Sequence, residues 1–517
     1  MEDLLYLSLV SGRSILSFAP PLNPAEVRHF LNSIDTSLLP PPALQAYNRV
    51  RRRLRVEPPP ISYSTDNFAF FMNVNSTLQA RTRFNTNIAW EPLYPKIPAL
   101  ISVPMRFHFG NFFQLYFENQ IQMDPEFFGN ARFFGTNIPT ETSAFDASFP
   151  LRAFLAAGGS WWNFQIGRDR VSWGTGQMGN LLLSDNPDYH EFMQLSFFSR
   201  VFKYTSFVAQ MPLELRDHLL PENSPPWNKE DHLWRTMNRH LYIHRLDINL
   251  FNRLSIGLME GLMVGNSPLQ IRYLNPAMIF HSFYSGWNYD RWADDTWGYW
   301  GYMNSSIFSV EVNWNVTNSL ALYGQFVMDD FRPRFIVQEN STVHPNGLGR
   351  MAGIRYSHTF NTWASIFYFE FIWTDPFLYM NSSPFASFIH MRYLSLIPGR
   401  VHYSYLGYPR DTLAFTLGAI FFRGNAIRLS GNLSLVISGE MSDMTWQWER
   451  SWEAFQKRTP TGTAQNKFIT SFGAHWKPLQ HFAINFDITG IYSRNNNNLL
   501  GSTETGGQAA ISVSFFF

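Results

Sequence analysis

The chain has 517 residues, a net charge of +1, only 15% charged residues and 17% aromatic residues, among them 49 Phe, 22 Tyr and 17 Trp. Soluble domains carry about 25% charge, yet the mean hydropathy is slightly negative at −0.18, so neither a water-soluble globule nor an oily helical bundle fits. No apolar run reaches the roughly 18–20 residues of a membrane-spanning helix, the absence of cysteine excludes thiol nucleophiles, zinc–cysteine sites and disulfides, and the near-zero charge gives no reason to expect nucleic acid.

The N-terminus, Met1-Glu2-Asp3-Leu4-Leu5-Tyr6, carries acids where a signal peptide has bases. For an exported protein this places the start of the numbering at or near the mature chain. Residues 1–60 read as a small periplasmic helical element. Asn23 caps a helix that starts at Pro24 with Glu26 in third place. A second helix spans 43–54, bounded by Pro40-Pro41-Pro42 and Pro58-Pro59-Pro60.

From about residue 66 the hydrophobic period changes to two, and residues 61–517 read as an outer-membrane β-barrel. Phe482, Ile484, Phe486 and Ile488 alternate with Ala483, Asn485, Asp487 and Thr489. Phe468, Phe472 and Trp476 alternate with Lys467, Ser471 and His475; Leu429, Leu433 and Leu435 with Arg428, Asn432 and Ser434; Phe367, Phe369 and Phe371 with Tyr368 and Glu370. Such a strand has one greasy and one polar face. Three features favour a barrel over a soluble sandwich: strands of about ten residues, aromatics at the ends of the apolar face, and strict alternation of short and long links. Short links fall near 202–203, 251–253, 315–317, 361–362, 423–425 and 477–478, and long ones near 212–238, 263–305, 329–347, 375–411, 439–466 and 494–507.

The last strand, with Ile511, Val513, Phe515 and terminal Phe517 on one face, looks like the signal read by outer-membrane assembly machinery. If both chain ends lie in the periplasm the strand number is even. Counting back gives about eighteen antiparallel strands, the first near 79–90, with 62–73 a lead-in or part of that strand.

Gly174-Thr175-Gly176-Gln177-Met178-Gly179 is formally GxGxxG. A dinucleotide site needs that turn inside a βαβ unit, and nothing in 180–330 supplies one, so a loop that needs close backbone packing is the better reading. The surrounding run, Gly167-Arg168 through Trp173-Gly174-Thr175-Gly176 to Ser184-Asp185-Asn186-Pro187, resembles the capsule-assembly Wzi family. There, Gly-Arg runs into Trp-Gly-Pro-Gly and an apolar stretch ending Ser-Asn. Here Thr175 stands in the usual Pro place, and Asp185 precedes Asn186. His244-Arg245-Leu246, Glu260 and Tyr273-Leu274-Asn275-Pro276 are similar to a second set of family landmarks. The resemblance implies an eighteen-stranded barrel with a periplasmic helical element that holds capsular polysaccharide at the cell surface. It rests on Gly167, Arg168, Trp173, Gly174, Gly176, Ser184 and Asn186.

Around His244 the apolar parity slips: Leu241 and Ile243 precede Leu246, Ile248 and Leu250. A bulge at His244-Arg245 would explain the slip, turn Arg245 into the lumen and leave Glu260 as its partner after a similar slip. His244, Arg245 and Glu260 are then candidates for a lumenal ion network. The densest aromatic stretch, 282–303, falls in an expected extracellular loop. Trp287, Tyr289, Trp292, Trp297, Tyr299 and Trp300, interleaved with Asp290 and Arg291, suit the C–H faces and hydroxyls of a sugar. The same stretch would equally serve as a packed plug or a girdle resting on lipopolysaccharide. Asp290, Asp294 and Asp295 have the oxygen chemistry of a calcium site without a matching spacing.

No cofactor and no catalytic motif is visible. The leading expectation is a non-enzymatic barrel that binds surface polysaccharide and contacts outer-membrane lipid, lipopolysaccharide-type glycolipid and, through Phe517, the assembly machinery. The alternative is a porin, with Glu311, Glu370, Arg428, Lys467, His475 and Asp487 setting selectivity. A barrel enzyme acting on lipid or polysaccharide is the third reading.

Overall fold

The computed structural model describes residues 1–54, 58–85, 88, 97–110, 112–124, 133–146, 152–184, 186–187, 189–214, 236–265, 267–280, 304–338, 341–381, 383–393, 401–445 and 449–517.

Antiparallel strands close into a single barrel. Strand Asn75–Phe84 pairs with Thr503–Phe516 on one side, and together with Phe68–Met72 it pairs with Ile101–Phe109 on the other. Counting 68–84 as one wall strand and setting aside the short pieces Ile61–Ser64 and Phe134–Thr136, the wall has eighteen strands. The first strand thus lies earlier than 79–90, and the 62–73 segment enters the wall from Phe68 onward. The alternation of links is as expected: turns at 199–201, 251–253, 316–319, 361–362, 424–426 and 480–481 share one end, and the strands that end at Gln210, Gly265, Asp330, Thr374, Ser438 and Arg494 lead into longer links at the other. Among the described residues no helix is long and apolar enough to cross a membrane.

The pleat decides what meets lipid. Leu433, Phe468, Phe472, Phe486, Ile488 and Ile511 are exposed on the outer face, as bilayer contacts must be. Their neighbours at Asn432, Ser471, Asn485 and Ser512 face inward and bond across strands, for example Asn485 Nδ2 to Ser512 Oγ at 2.9 Å.

Three helices precede the wall: α1 (Glu2–Ser11), α2 (Pro24–Asn32) and α3 (Pro41–Arg53). Around α2, the Asn23 side chain accepts from Ala25 N–H, and the Glu26 carboxylate accepts from Asn23 N–H, a capping box worth about 1 kcal/mol. Helix α1 had no distinct sequence signal. Its cap is covalent geometry rather than a side chain: Gly12 is left-handed at φ 64°. Tyr6, Leu7, Phe30, Ala43, Ala46 and Val50 pack together and onto Ala321, Ala364 and Ile366 of the wall. The element therefore docks at the short-turn end of the barrel. Tyr6 is hydrogen-bonded to Thr359, Asn315 donates to Ser8, and Ser14 N–H donates to Asn252 O.

Candidate functional site

The lumen is where the distinctive side chains converge. Three stretches of chain fill it from different directions. Residues 14–22 run inward from the helical element, 170–184 leave the wall after strand Trp162–Asp169, and the described residues of the 375–411 link fold back from the long-link end. Their backbones interlock: Gly174 N–H donates to Phe18 O, Ser184 N–H to Leu406 O, and Tyr408 N–H to Asn180 O. Trp173, Leu181, Leu182 and Leu183, with Phe388, Leu406 and Tyr408, pack against inward Phe207, Leu241, Ile243, Met259, Ile307 and Met351 of the wall. This core lies inside a membrane barrel, where a solute channel would hold water.

The slip in parity at His244 now has its cause, and it is not a bulge. Strand Arg239–Leu250 pairs with Leu254–Gly265 in unbroken register, so Arg239, Leu241, Ile243, Arg245 and Asp247 all face inward. Leu241 and Ile243 are apolar because the lumen there is filled, whereas Leu246, Ile248 and Leu250 are apolar because they face lipid. Periodicity alone cannot tell these two oils apart.

Arg245 is indeed lumenal and 1% exposed. Its partners are Asp247, with Nε–Oδ distances of 2.9 Å, and Glu311, with Nη1–Oε2 at 2.9 Å. Asp247 also accepts from Ser17 Oγ at 2.8 Å, which ties the entering N-terminal segment to the wall. The Arg245 guanidinium lies 5.7 Å from the Trp173 ring. Glu260 is not part of this set. It stands opposite His244 in register, and both point outward. There they meet residues 267–280 folded over the outer wall: His244 Nε2 lies 3.0 Å from Tyr273 O, and Glu260 Oε2 accepts from Phe280 N–H at 2.9 Å. Of the expected lumenal trio, only Arg245 belongs to the lumen. His244 and Glu260 instead fasten an external strap whose side chains, Tyr273 and Phe280, pack on Val208, Tyr242, Leu262 and Val264.

The GxGxxG loop binds a carboxylate of its own chain. The N–H groups of Gln177 and Met178 donate to Glu370 at 2.7 and 2.9 Å, and Tyr323 OH donates to the same carboxylate at 2.8 Å. The expected close packing is present. A Cβ on Gly174, at φ 125°, would collide with Gln325 and Asn180, and one on Gly176 would strike Gly179 O. Thr175, in the place of the family's Pro, offers its carbonyl to Arg355, whose guanidinium lies 3.6 Å from the Tyr323 ring centre. Trp173 Nε1 donates to Pro20 O at 3.0 Å. Gly167, at φ 134°, lets its strand approach Ala153 and Phe154, Arg168 pairs with Glu191, Ser184 Oγ accepts from Asn186 N–H, and Asn186 Nδ2 donates to Gly407 O.

Sequence reading missed several lumenal contacts. Lys203, fully buried, is held by Glu26 of α2 at 2.9 Å. Arg239 donates to the carbonyls of Met211, Phe385, Ser387 and Ile389, which ties the 385–389 stretch to the wall. Asp247 had a usable signal, since i and i+2 share a strand face; Arg239's carbonyl partners, far away in sequence, had none. The glycan candidates Trp287, Tyr289, Asp290, Arg291, Trp292, Trp297, Tyr299 and Trp300, and Asp294 and Asp295, lie outside the described residues.

On the opposite side of the lumen the inward face is polar and in part open to solvent. Ser471 and Thr489 are 3.3 Å apart, His475 Nδ1 is 2.5 Å from Asn485 Oδ1, Thr77 is hydrogen-bonded to Ser514, and inward-facing Asp487 is solvent-exposed. Glu311 and Glu370 are locked into the dry side, so of the proposed selectivity set only Arg428, Lys467, His475 and Asp487 sit on polar wall strands.

These features define an outer-membrane β-barrel of eighteen strands whose lumen holds a packed core of its own chain. Among solved structures, the chain resembles Wzi of Escherichia coli, described as an outer-membrane, carbohydrate-binding β-barrel involved in group 1 capsule assembly. The TM-score is 0.55 at 13% identity, over 99% of this chain and 97% of that one, a likeness of fold. OpdQ and OprD of Pseudomonas aeruginosa align over 88% and 87% of this chain and 99% and 94% of theirs, each at 7% identity and TM-score 0.41, too loosely to argue from. No family model matches the sequence, and no curated protein does.

Proposed function

We propose that this protein is a non-catalytic outer-membrane barrel that holds surface polysaccharide through its extracellular loops, with its lumen closed to solutes. The observation that carries the reading is the apolar core inside the barrel, to which Ala19, Trp173, Leu181–Leu183, Leu378–Met380, Phe388 and Leu406 contribute. A pore has no use for buried Trp173, Leu181 and Phe388 in its bore, whereas an anchor gains a rigid platform for its loops. The glycan part draws support from the fold shared with a carbohydrate-binding barrel and from the Trp, Tyr, Asp and Arg mixture of 287–300. In this reading the helical element faces the periplasm, beside the short turns, and the C-terminal strand ending in Phe517 is what the assembly machinery reads.

A porin is the second reading, and the wet polar face around Asp487, Asn485 and His475 favours it. Planar-bilayer conductance separates the two. The intact protein is expected to be silent, while large steady openings would sink the anchor reading. Openings only after deletion of residues 1–54 would identify the helical element as the plug. For the glycan, replacing Trp287, Trp292, Trp297 and Trp300 with Ala should reduce polysaccharide retained on cells that express the folded protein. Unchanged retention would remove these residues from the reading.

A further inference from the structure

A second site lies on the outside of the barrel, at the long-link end. Strands Gly347–Phe360 and Trp363–Thr374 pair with Arg350 opposite Trp373, and both side chains point outward, away from inward Met351 and Ile372. Above them residues 331–335, Asn346 and residues within 454–458 line a cleft of about 410 Å³. Five cations line it, Arg332, Arg334, Arg350, Lys457 and Arg458, against one carboxylate, Asp375. In a chain with net charge +1 this is a strong local excess. Among the described residues Arg334, Arg350, Lys457 and Arg458 have no carboxylate within ion-pair distance, and Arg332 has Asp330 only at 3.9 Å.

The apolar part is equally particular. Phe335 is 89% exposed and Phe331 48% exposed beside the cations, and just below lie the lipid-facing Ile354 and Phe369. The guanidinium of Arg350 sits 4.8 Å from the Trp373 ring, and the buried Trp373 ring N–H has no acceptor among the described residues. Cations at the level where the greasy wall ends, with aromatics turned outward next to them, match a ligand with phosphates above and acyl chains below. A soluble anion would use the cations and leave Phe331 and Phe335 in water. Arginine is well suited here, because its guanidinium fork grips phosphate oxygens in pairs.

We infer that this cleft is a binding site for a phosphorylated glycolipid of the outer leaflet, its phosphates held by Arg334, Arg350, Lys457 and Arg458 and its acyl chains lying against Trp373 and the wall below. The site is independent of glycan binding by the extracellular loops and of whether the lumen conducts.

The test is native mass spectrometry of the full-length protein in detergent, titrated with bis-phosphorylated lipid A, with dephosphorylated lipid A and with inorganic phosphate. Lipid A is expected to bind at one to two copies. Arg350→Gln combined with Arg458→Gln should weaken that binding tenfold or more, while Arg423→Gln, on the opposite rim, leaves it unchanged. Arg334→Gln, in an exposed link, is a milder variant that should cost about threefold without touching the wall; heat-dependent gel migration verifies that each variant is folded. Equal binding of dephosphorylated lipid A, competition by millimolar phosphate as effective as by lipid A, or wild-type affinity in the folded cleft variants would each overturn the assignment.

Discussion

The two sides of the lumen are built from the same kind of strand and obey opposite rules. On the side formed by strands 190–210, 239–265, 304–330 and 347–374, inward residues are Phe207, Leu241, Ile243 and Met351, with ionic groups only where a partner is within reach. On the side formed by 427–438, 465–494, 503–516 and 75–84, inward residues are polar and bond across strands, Ser471 to Thr489, Asn485 to Ser512 and Thr77 to Ser514. What differs is what stands in front of the wall: folded chain on one side and water on the other. Every polar group on the dry side must therefore be satisfied by protein, and its removal should be far more damaging than the same change on the wet side.

The largest effect is expected at Arg245. Replacing it with Ala leaves Asp247 and Glu311 near each other without the guanidinium that pairs with both, and among the described residues Glu311 Oε1 already has no hydrogen-bond partner. Breaking such a buried set costs about 3–5 kcal/mol, read as a lowered urea midpoint in detergent. Replacing Arg245, Asp247 and Glu311 together by Met, Leu and Leu should recover most of the loss, because the site then joins the apolar core around it. A triple variant as weak as Arg245→Ala would mean that the network carries structure beyond its charges. Trp173→Phe comes next. It loses the donation to Pro20 O and part of the volume at the meeting point of all three lumenal segments, a cost of about 2 kcal/mol.

How much of this was legible in the sequence follows from the same contrast. The wet side was read directly: Phe486 and Ile488 against Asn485 and Asp487 is the period of a wall between lipid and water, and the links, the strand number and the cap at Asn23 followed from local chemistry. The dry side defeats the pattern, because a strand with lipid on one face and a packed core on the other is apolar on both. The bulge expected at His244 arose from that, and so did the assignment of Glu260 to Arg245. The loop at 174–179 was recognisable as tightly packed from its glycines, but its carboxylate, Glu370, lies 192 residues away from Met178 and only the closed barrel brings them together. The outer cleft was illegible for the same reason. Its cations come from three separate links and strands.

A pH-dependent effect separates the long-link rim from both walls. Burial pushes the Asp375 carboxyl up to about 6, against the pull of Arg350 and Arg458, and burial also raises Asp411. A carboxyl raised in the folded state favours folding while it is protonated. Its contribution is complete below the unfolded value near 4 and is lost as the pH rises through about 6. Stability should therefore fall by about 3 kcal/mol at most between pH 4 and pH 7 on account of Asp375. Asp375→Asn should flatten part of that slope and raise the urea midpoint at pH 7; an unchanged slope would show that the rim opens before the barrel does.

The sharpest probe of the contrast uses one chemistry on both sides, and its member on the polar wall is the smallest effect of all. Asn485 and Gln325 are inward amides with both ends in use: Asn485 bonds to His475 and Ser512, and Gln325 accepts from Leu181 N–H and donates to Trp173 O and Asn180 Oδ1. Gln325→Ala strips the 170–184 segment of partners that water cannot replace, and about 2–3 kcal/mol should be lost. Asn485→Ala leaves groups that water reaches, and no more than about 0.5–1 kcal/mol should follow. Equal losses would mean that both halves of the lumen are equally dry, and the polar wall would then have to be a second packed surface rather than the lining of a water-filled space.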